Sequence, residues 1–153
     1  MISQRTPFDC GIATLANALG ITYERSLELY GDDKQRNGVT IQQTASILFA
    51  LGYAPVYTTF PGFVKASGIA MSTSSQDVLE TLGHPAILQV LTHSGVLHQV
   101  WFDGKNIIDP SRSVVGPRRV SEYECVDAVF VIKQCQALVR KPAVPCAVRE
   151  GAL

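Results

Sequence analysis

Apolar residues recur every three or four positions in the first third of the chain, then gather into short β-branched and aromatic runs separated by turn residues. Ile12, Leu15, Ala16 and Leu19 share one helical face, with Asp9 before them as a candidate cap and Gly20 after them as a left-handed stop. A helix is therefore expected over Cys10 to Leu19. A second is expected from Tyr23 to Tyr30, with Leu27 and Tyr30 inward, running out into the polar loop Gly31 to Gly38. Thr40 reads as the cap of a third, Ile41 to Leu51, with Ala45, Leu48 and Phe49 packed and Gly52 ending it. Tyr53 to Thr58 predicts a short strand, whereas the stretch through Pro61, Gly62 and Gly68 has no period and reads as irregular. Ser74 or Ser75 then caps a helix through Leu82, closed by Gly83 and Pro85.

The later runs PAILQVL, VLHQVWF, KNIID and AVFVIK carry the pattern of an antiparallel sheet. Before the last of them, Ser121-Glu122-Tyr123-Glu124 has capping-box spacing and predicts a single helical turn. From Gln134 onward, with Pro142 and Pro145, no period survives. The expectation is one domain over residues 1–134 and a C-terminal tail or arm over 135–153. Helices first and sheet second make the class α+β, N-terminal helices packed on an antiparallel sheet.

Composition narrows the partners. The chain has 153 residues, enough for one core, and 46% of them are apolar, which excludes a disordered polymer. Lys+Arg and Asp+Glu balance at 13 each, so there is no electrostatic footprint for nucleic acid or an anionic membrane. The pair Arg118-Arg119 reads as a solvated turn. No apolar run reaches the roughly 18 residues of a membrane span, and Met1 to Arg5 lack a signal peptide's apolar stretch, so a cytoplasmic protein is expected. Cys10, Cys125, Cys135 and Cys146 are dispersed without a CxxC pair, and His84 and His93 have no partner at ligand spacing. Neither a metal nor another cofactor is expected.

Cys10 is the one thiol whose position suggests chemistry. At a helix start it meets the positive end of the helix dipole and unpaired backbone N–H groups, which favour thiolate over thiol. The plainer reading, a small buried hydrophobe, stands beside it until a base is found. The sheet offers one. Asp103-Gly104 is a strong hairpin signal between Val96 to Phe102 and Lys105 to Asp109, and a two-residue turn would set Phe102 opposite Lys105, Val100 opposite Ile107 and His98 opposite Asp109. Opposed residues share a face with Cβ atoms about 5 Å apart, near enough for a carboxylate to orient an imidazole. Trp101, on the other face, reads as packing beneath a helix. A surface cross-strand contact is the plain alternative for the His–Asp pair. Together with Cys10, however, the pair supplies base and orienter to a nucleophile.

Gln4 followed six residues later by Cys10-Gly11, then IATLANALG, GVTIQQTASILFALGY, HPAILQV, LHQVWFDGKNIIDPS and SEYECVDAVFVI, together resemble the C39 peptidase family of papain-like cysteine peptidases over residues 1–133. That resemblance implies a papain-like fold, Cys10 as nucleophile, His98 as general base and acid, Asp109 as orienting carboxylate and Gln4 as a side-chain donor to an oxyanion hole. It further implies a peptide or protein substrate, cut after small or glycine residues. Family members in transporters cut leader peptides after a double glycine, whereas this chain shows no membrane span, no nucleotide-binding motif and no Gly-Gly of its own, and reads as a stand-alone member. Two rival readings keep the same groove: a Cys-dependent amidase or acyltransferase, and a non-catalytic peptide- or protein-binding module.

Overall fold

Asp9 precedes and Gly20 follows α1 (Cys10–Leu19), the first element of a computed structural model that describes residues 1–31 and 33–133. The expected tail, 135–153, lies outside the described residues. Ile12, Ala13, Leu15 and Ala16 are fully buried, which is the inward stripe the spacing predicts. Helix α2 (Tyr23–Tyr30) is capped by the Thr22 hydroxyl, and α3 (Lys34–Asn37) adds a turn within the expected loop. Helix α4 (Ile41–Ala50) begins with a complete capping box, Thr40 accepting from the Gln43 N–H and the Gln43 side chain accepting from the Thr40 N–H. Phe49, expected in the core, is instead 67% exposed. Ile41, Thr44 and Leu48 hold the buried stripe, and the next residue on a helix points about 100° away.

Strand β1 (Tyr53–Thr59) leads into α5 (Pro61–Ser67), which corrects the expectation of an irregular stretch. Proline suits the first helical turn, where its missing N–H has no partner to lose, and Gly68 closes the helix at φ +71°. Gly62 lets α5 approach the sheet, since a Cβ there would lie 2.4 Å from the Cys125 carbonyl oxygen. Helix α6 (Val78–Leu82) starts after Asp77, without either expected serine as its cap. Ser75 Oγ turns back to the Asp77 carboxylate at 3.2 Å.

The sheet completes an α+β fold. Strands β2 (Ala86–Leu91), β3 (Leu97–Phe102), β4 (Ile107–Ile108) and β5 (Glu124–Lys133) join β1 in the order β1-β5-β2-β3-β4, every pair antiparallel. A single 3-10 turn, Val120–Glu122, precedes β5 where the capping-box spacing predicts one. Its box begins at Arg119, whose N–H donates to Glu122, and not at Ser121. Side chains alternate cleanly. Ile87, Trp101 and Val129 pack with Leu15, Ile41 and Leu48 of α1 and α4. On the opposite face Leu88, Val100, Phe102 and Ile107 pack with Phe60, Leu79 and Val120.

The β3–β4 hairpin differs from the expected register by two residues. Phe102 pairs with Ile107 and Trp101 with Ile108, so the turn has four residues, Asp103 to Asn106. The Asp103 carboxylate accepts from the Lys105 and Asn106 N–H groups at 2.8 and 2.7 Å, and Gly104 supplies φ +100°. An even shift keeps every side chain on its face, so His98 and Asp109 still point the same way. Continuing the ladder would set Pro110 opposite Gln99, and proline has no N–H to offer. The strand edge is therefore open from Gln99 toward Leu97, and α1 occupies it: Thr14 Oγ1 donates to the Gln99 carbonyl at 2.8 Å.

Candidate active site

Cys10 opens α1 beside that free edge. Asp9 occupies the cap position, but its carboxylate turns away from the helix, correcting the expected side-chain cap. It accepts from the Arg5 N–H and the Thr6 N–H at 3.1 Å and from the Tyr23 hydroxyl. The Arg5 guanidinium lies 3.8 Å over the Tyr23 ring, and Gln35 Nε2 donates to the Tyr23 oxygen at 3.2 Å. Asp9, fully buried, thus anchors the N-terminal strap, and no side chain caps the first turn of α1 at Cys10. Gly11 has to be small, because a Cβ there would meet Val39 Cγ2 at 2.2 Å and Gln99 Oε1 at 2.8 Å.

Burial pushes the Cys10 thiol up, yet its hydrogen bond to His98, the His98 charge and backbone hydrogen bonds from Gln99 and Gly11 outweigh it and hold the thiol below its ordinary value. The Gln99 contact follows from the open edge. In an antiparallel strand the N–H and C=O of one residue point the same way, so Gln99 offers its carbonyl to Thr14 and its N–H to the sulfur.

His98 stands on β3 with Nε2 2.8 Å from Asp109 Oδ1. The two residues expected to face each other across the hairpin do meet, as diagonal neighbours and not as an opposed pair. Ser111, which extrapolation of the ladder sets opposite His98, places Oγ 3.2 Å from the same nitrogen. Asp109 is 4% exposed and accepts from the Ser111 N–H and the Tyr123 hydroxyl, each at 2.8 Å. Burial raises its carboxyl, but His98 and these donors prevail and hold it down at about 2. On His98 burial lowers the imidazole, and the Asp109 and Cys10 partners reverse this, raising it to about 9. The electrostatics thus favour a thiolate beside an imidazolium.

Gln4 lies on the N-terminal strap, fastened to the loop that carries Asp109. Its N–H donates to the Pro110 carbonyl at 2.8 Å, and Arg112 Nε donates to its carbonyl at 2.9 Å. The side-chain Nε2 donates to the Thr6 carbonyl at 3.1 Å, leaving a second N–H on that nitrogen. The strap runs from Gln4 through the Asp9 anchor into Cys10, so one short segment carries both residues. A cavity of about 560 Å³, with His98, Asp109, Ser111 and Tyr123 in its wall, opens on the Asp109 side.

Ser111, Tyr123 and Arg112 are the supporting residues that sequence reasoning did not single out. Tyr123 sits in the segment recognised only for its capping spacing, and nothing local ties it to an aspartate 14 residues earlier. His84 and His93 are exposed, and among the described residues no cluster of His, Cys, Asp and Glu could hold a metal. Cys125 is buried in the core, where burial pushes its thiol up to about 12. Cys135 and Cys146 lie outside the described residues. No helix among the described residues is long and apolar enough to cross a membrane.

No protein-family model matches the chain, and no curated protein sequence matches it. Among solved structures, the peptidase domain of Streptococcus ComA, a bifunctional ABC transporter involved in a quorum-sensing pathway, superposes with a TM-score of 0.57 at 19% identity. The match covers 87% of this chain and 97% of that one. The fold is the papain-like α+β arrangement of a C39-type peptidase domain.

Proposed function

We propose that the protein is a cysteine peptidase of C39 type, with Cys10 as nucleophile, His98 as general base and acid, Asp109 as orienting carboxylate and Gln4 as an oxyanion donor. The observation that carries this reading is the chain of contacts from the Cys10 thiol through His98 to Asp109, with His98 Nε2 and Asp109 Oδ1 2.8 Å apart. It leaves the other ring nitrogen, Nδ1, for the sulfur.

The Cys10 thiolate attacks the carbonyl carbon of a peptide bond, and the carbonyl π electrons move onto oxygen. The Gln4 Nε2 N–H and the Cys10 backbone N–H stabilise that oxyanion, a contribution of roughly 100- to 1000-fold in rate per donor. As the tetrahedral intermediate collapses, His98 gives its proton to the leaving nitrogen, the C–N bond breaks and a Cys10 thioester remains. Neutral His98 then takes a proton from water, whose oxygen attacks the thioester carbon, and the carboxylate product leaves as the Cys10 sulfur departs. Asp109 keeps the imidazole in one tautomer and orientation throughout. A small or glycine residue on the acyl side of the cut follows from the C39 resemblance.

The test is to incubate the wild-type chain and Cys10→Ala with a mixed peptide library and sequence the new termini. Defined cuts by the wild type and none by Cys10→Ala support the reading. Intact peptides retained by Cys10→Ala, with no cutting by the wild type, would make the chain a binding module. Amides formed from an added amine, without hydrolysis, would make it an acyltransferase.

A further inference from the structure

Besides Asp9 and Asp109, a third aspartate is buried among the described residues. Asp127 of β5 is 3% exposed, and its Oδ2 accepts from the Tyr57 hydroxyl at 2.9 Å. Its Oδ1 is buried and has no hydrogen-bond partner among the described residues. Such an oxygen is among the most unfavourable groups a protein interior can hold, and leaving one in place calls for an explanation. Lys65, on α5, is engaged with Glu124 at 2.7 Å, and no cation among the described residues pairs with Asp127. Burial pushes the Asp127 carboxyl up to about 6.

The sheet register says where this carboxylate sits. Asp127 pairs with Gln89, and Gln89 pairs with Gln99, so three polar side chains form one row across β5, β2 and β3 on a common face. The row ends at the residue whose backbone touches the Cys10 sulfur. A cavity of about 290 Å³ lies along it, with Asp127 and Gln89 in its wall, Thr40 and Gln42 from the start of α4, and Phe63 and Leu97 as apolar sides. Leu97 adjoins His98 in the chain, and Thr40 adjoins Val39, which packs against Gly11. One end of the cavity is thus a single residue along the chain from His98 and from the Val39 that packs on Gly11, and it lies on the side of β3 away from Asp109.

We infer that Asp127 anchors a specificity subsite for a cationic side chain, lysine or arginine, of the peptide substrate. The subsite rests on the peptidase reading, because it needs an extended peptide lying at Cys10. Neighbouring strands are about 4.8 Å apart, so Asp127 is about 10 Å across the sheet from Gln99. An extended peptide advances about 3.3 Å per residue, which brings a side chain two or three positions from the cut bond over the cavity. The methylene stem packs between Phe63 and Leu97, and the charged head reaches the unsatisfied Oδ1.

The test uses acetylated, amidated hexapeptides of alanine and glycine carrying one lysine, norleucine or glutamate at each position in turn. Binding is measured on Cys10→Ala, with and without Asp127→Asn, and cleavage on the wild type. The expected result is one register in which lysine outbinds norleucine by about tenfold and glutamate binds weakest, the lysine advantage collapsing in Asp127→Asn. Wild-type cleavage shows the same ranking in kcat/KM. The lysine–norleucine comparison in the unmutated pocket needs no variant at Asp127, so misfolding of Asp127→Asn would not shelter the inference. Absence of a lysine register, or one that survives Asp127→Asn, overturns it. Efficient cutting of norleucine and lysine peptides alike would leave the peptidase reading standing and remove the subsite. An Asp127-dependent lysine preference in binding without any cleavage would do the reverse.

Discussion

Asp109 and Asp127 are buried to the same degree, 4% and 3% exposed, yet the protein treats them oppositely. Asp109 meets an imidazole, a backbone N–H and a phenol, each at 2.8 Å, and stays ionised down to about 2. Asp127 meets one phenol at 2.9 Å and takes up a proton near pH 6. Burial raises both carboxyls, so it does not account for the difference. The donors do. A carboxylate with all its donors is already committed to a task inside the protein, whereas one left short can accept a donor brought by something else.

Removing the charge from the satisfied carboxylate gives the largest expected effect. In Asp109→Asn the one amide oxygen can replace either Oδ1, which accepts from Ser111, or Oδ2, which accepts from Tyr123, but not both, and the negative charge that helps hold His98 at about 9 is gone. On the proposed mechanism His98 is protonated beside the thiolate, so wild-type activity is expected to be lost as pH rises through about 9, and in the variant at lower pH. The kcat/KM profile is expected to fall by about 100-fold or more at its maximum, with its alkaline limb displaced downward. An unmoved alkaline limb would detach Asp109 from His98.

A smaller effect, opposite in sign for the two carboxylates, is expected in stability. The Asp109 carboxyl is lowered on folding, so it contributes stability above its ordinary pKa of about 4, lost as pH falls toward 2. The Asp127 carboxyl is raised on folding, so the native state binds the extra proton between about pH 4 and 6, and stability falls as pH rises through that window. Asp127→Asn is therefore expected to gain on the order of 1–3 kcal/mol at pH 8 and little at pH 4, whereas Asp109→Asn loses stability at pH 8. Thermal melts of both variants at the two pH values check this. A destabilised Asp127→Asn at pH 8 would mean the carboxylate is better satisfied than its single donor suggests.

The part of the site built from local signals was legible in the sequence. The bounds of α1 follow from Asp9, the apolar stripe and Gly20, so Cys10 at a helix start is readable from 12 consecutive residues. The hairpin was readable in its face but not in its register, because parity depends on alternation while turn length depends on how Asp103 folds over Lys105 and Asn106. That difference brought Ser111 to His98 as well as Asp109. The role of Asp9 differs from the expected cap for a related reason: a cap and a strap anchor begin with the same residue, and Tyr23 decides between them from 14 positions away. Asp127 was invisible for the deepest reason. Its condition depends on β5 pairing with both β1 and β2, on the register shift at Gln89 and Val90, and on a tyrosine 70 residues earlier, none of which has a local signature.

The acidity that its neighbours lend the Cys10 sulfur is tested most directly by the pH dependence of its alkylation by iodoacetamide, read by peptide mapping. The expected result is a midpoint below the ordinary thiol value of 9.0, moving upward in His98→Ala, while Cys125 stays unlabelled in the folded protein. A Cys10 midpoint at or above 9.0, or one indifferent to His98, would contradict the account.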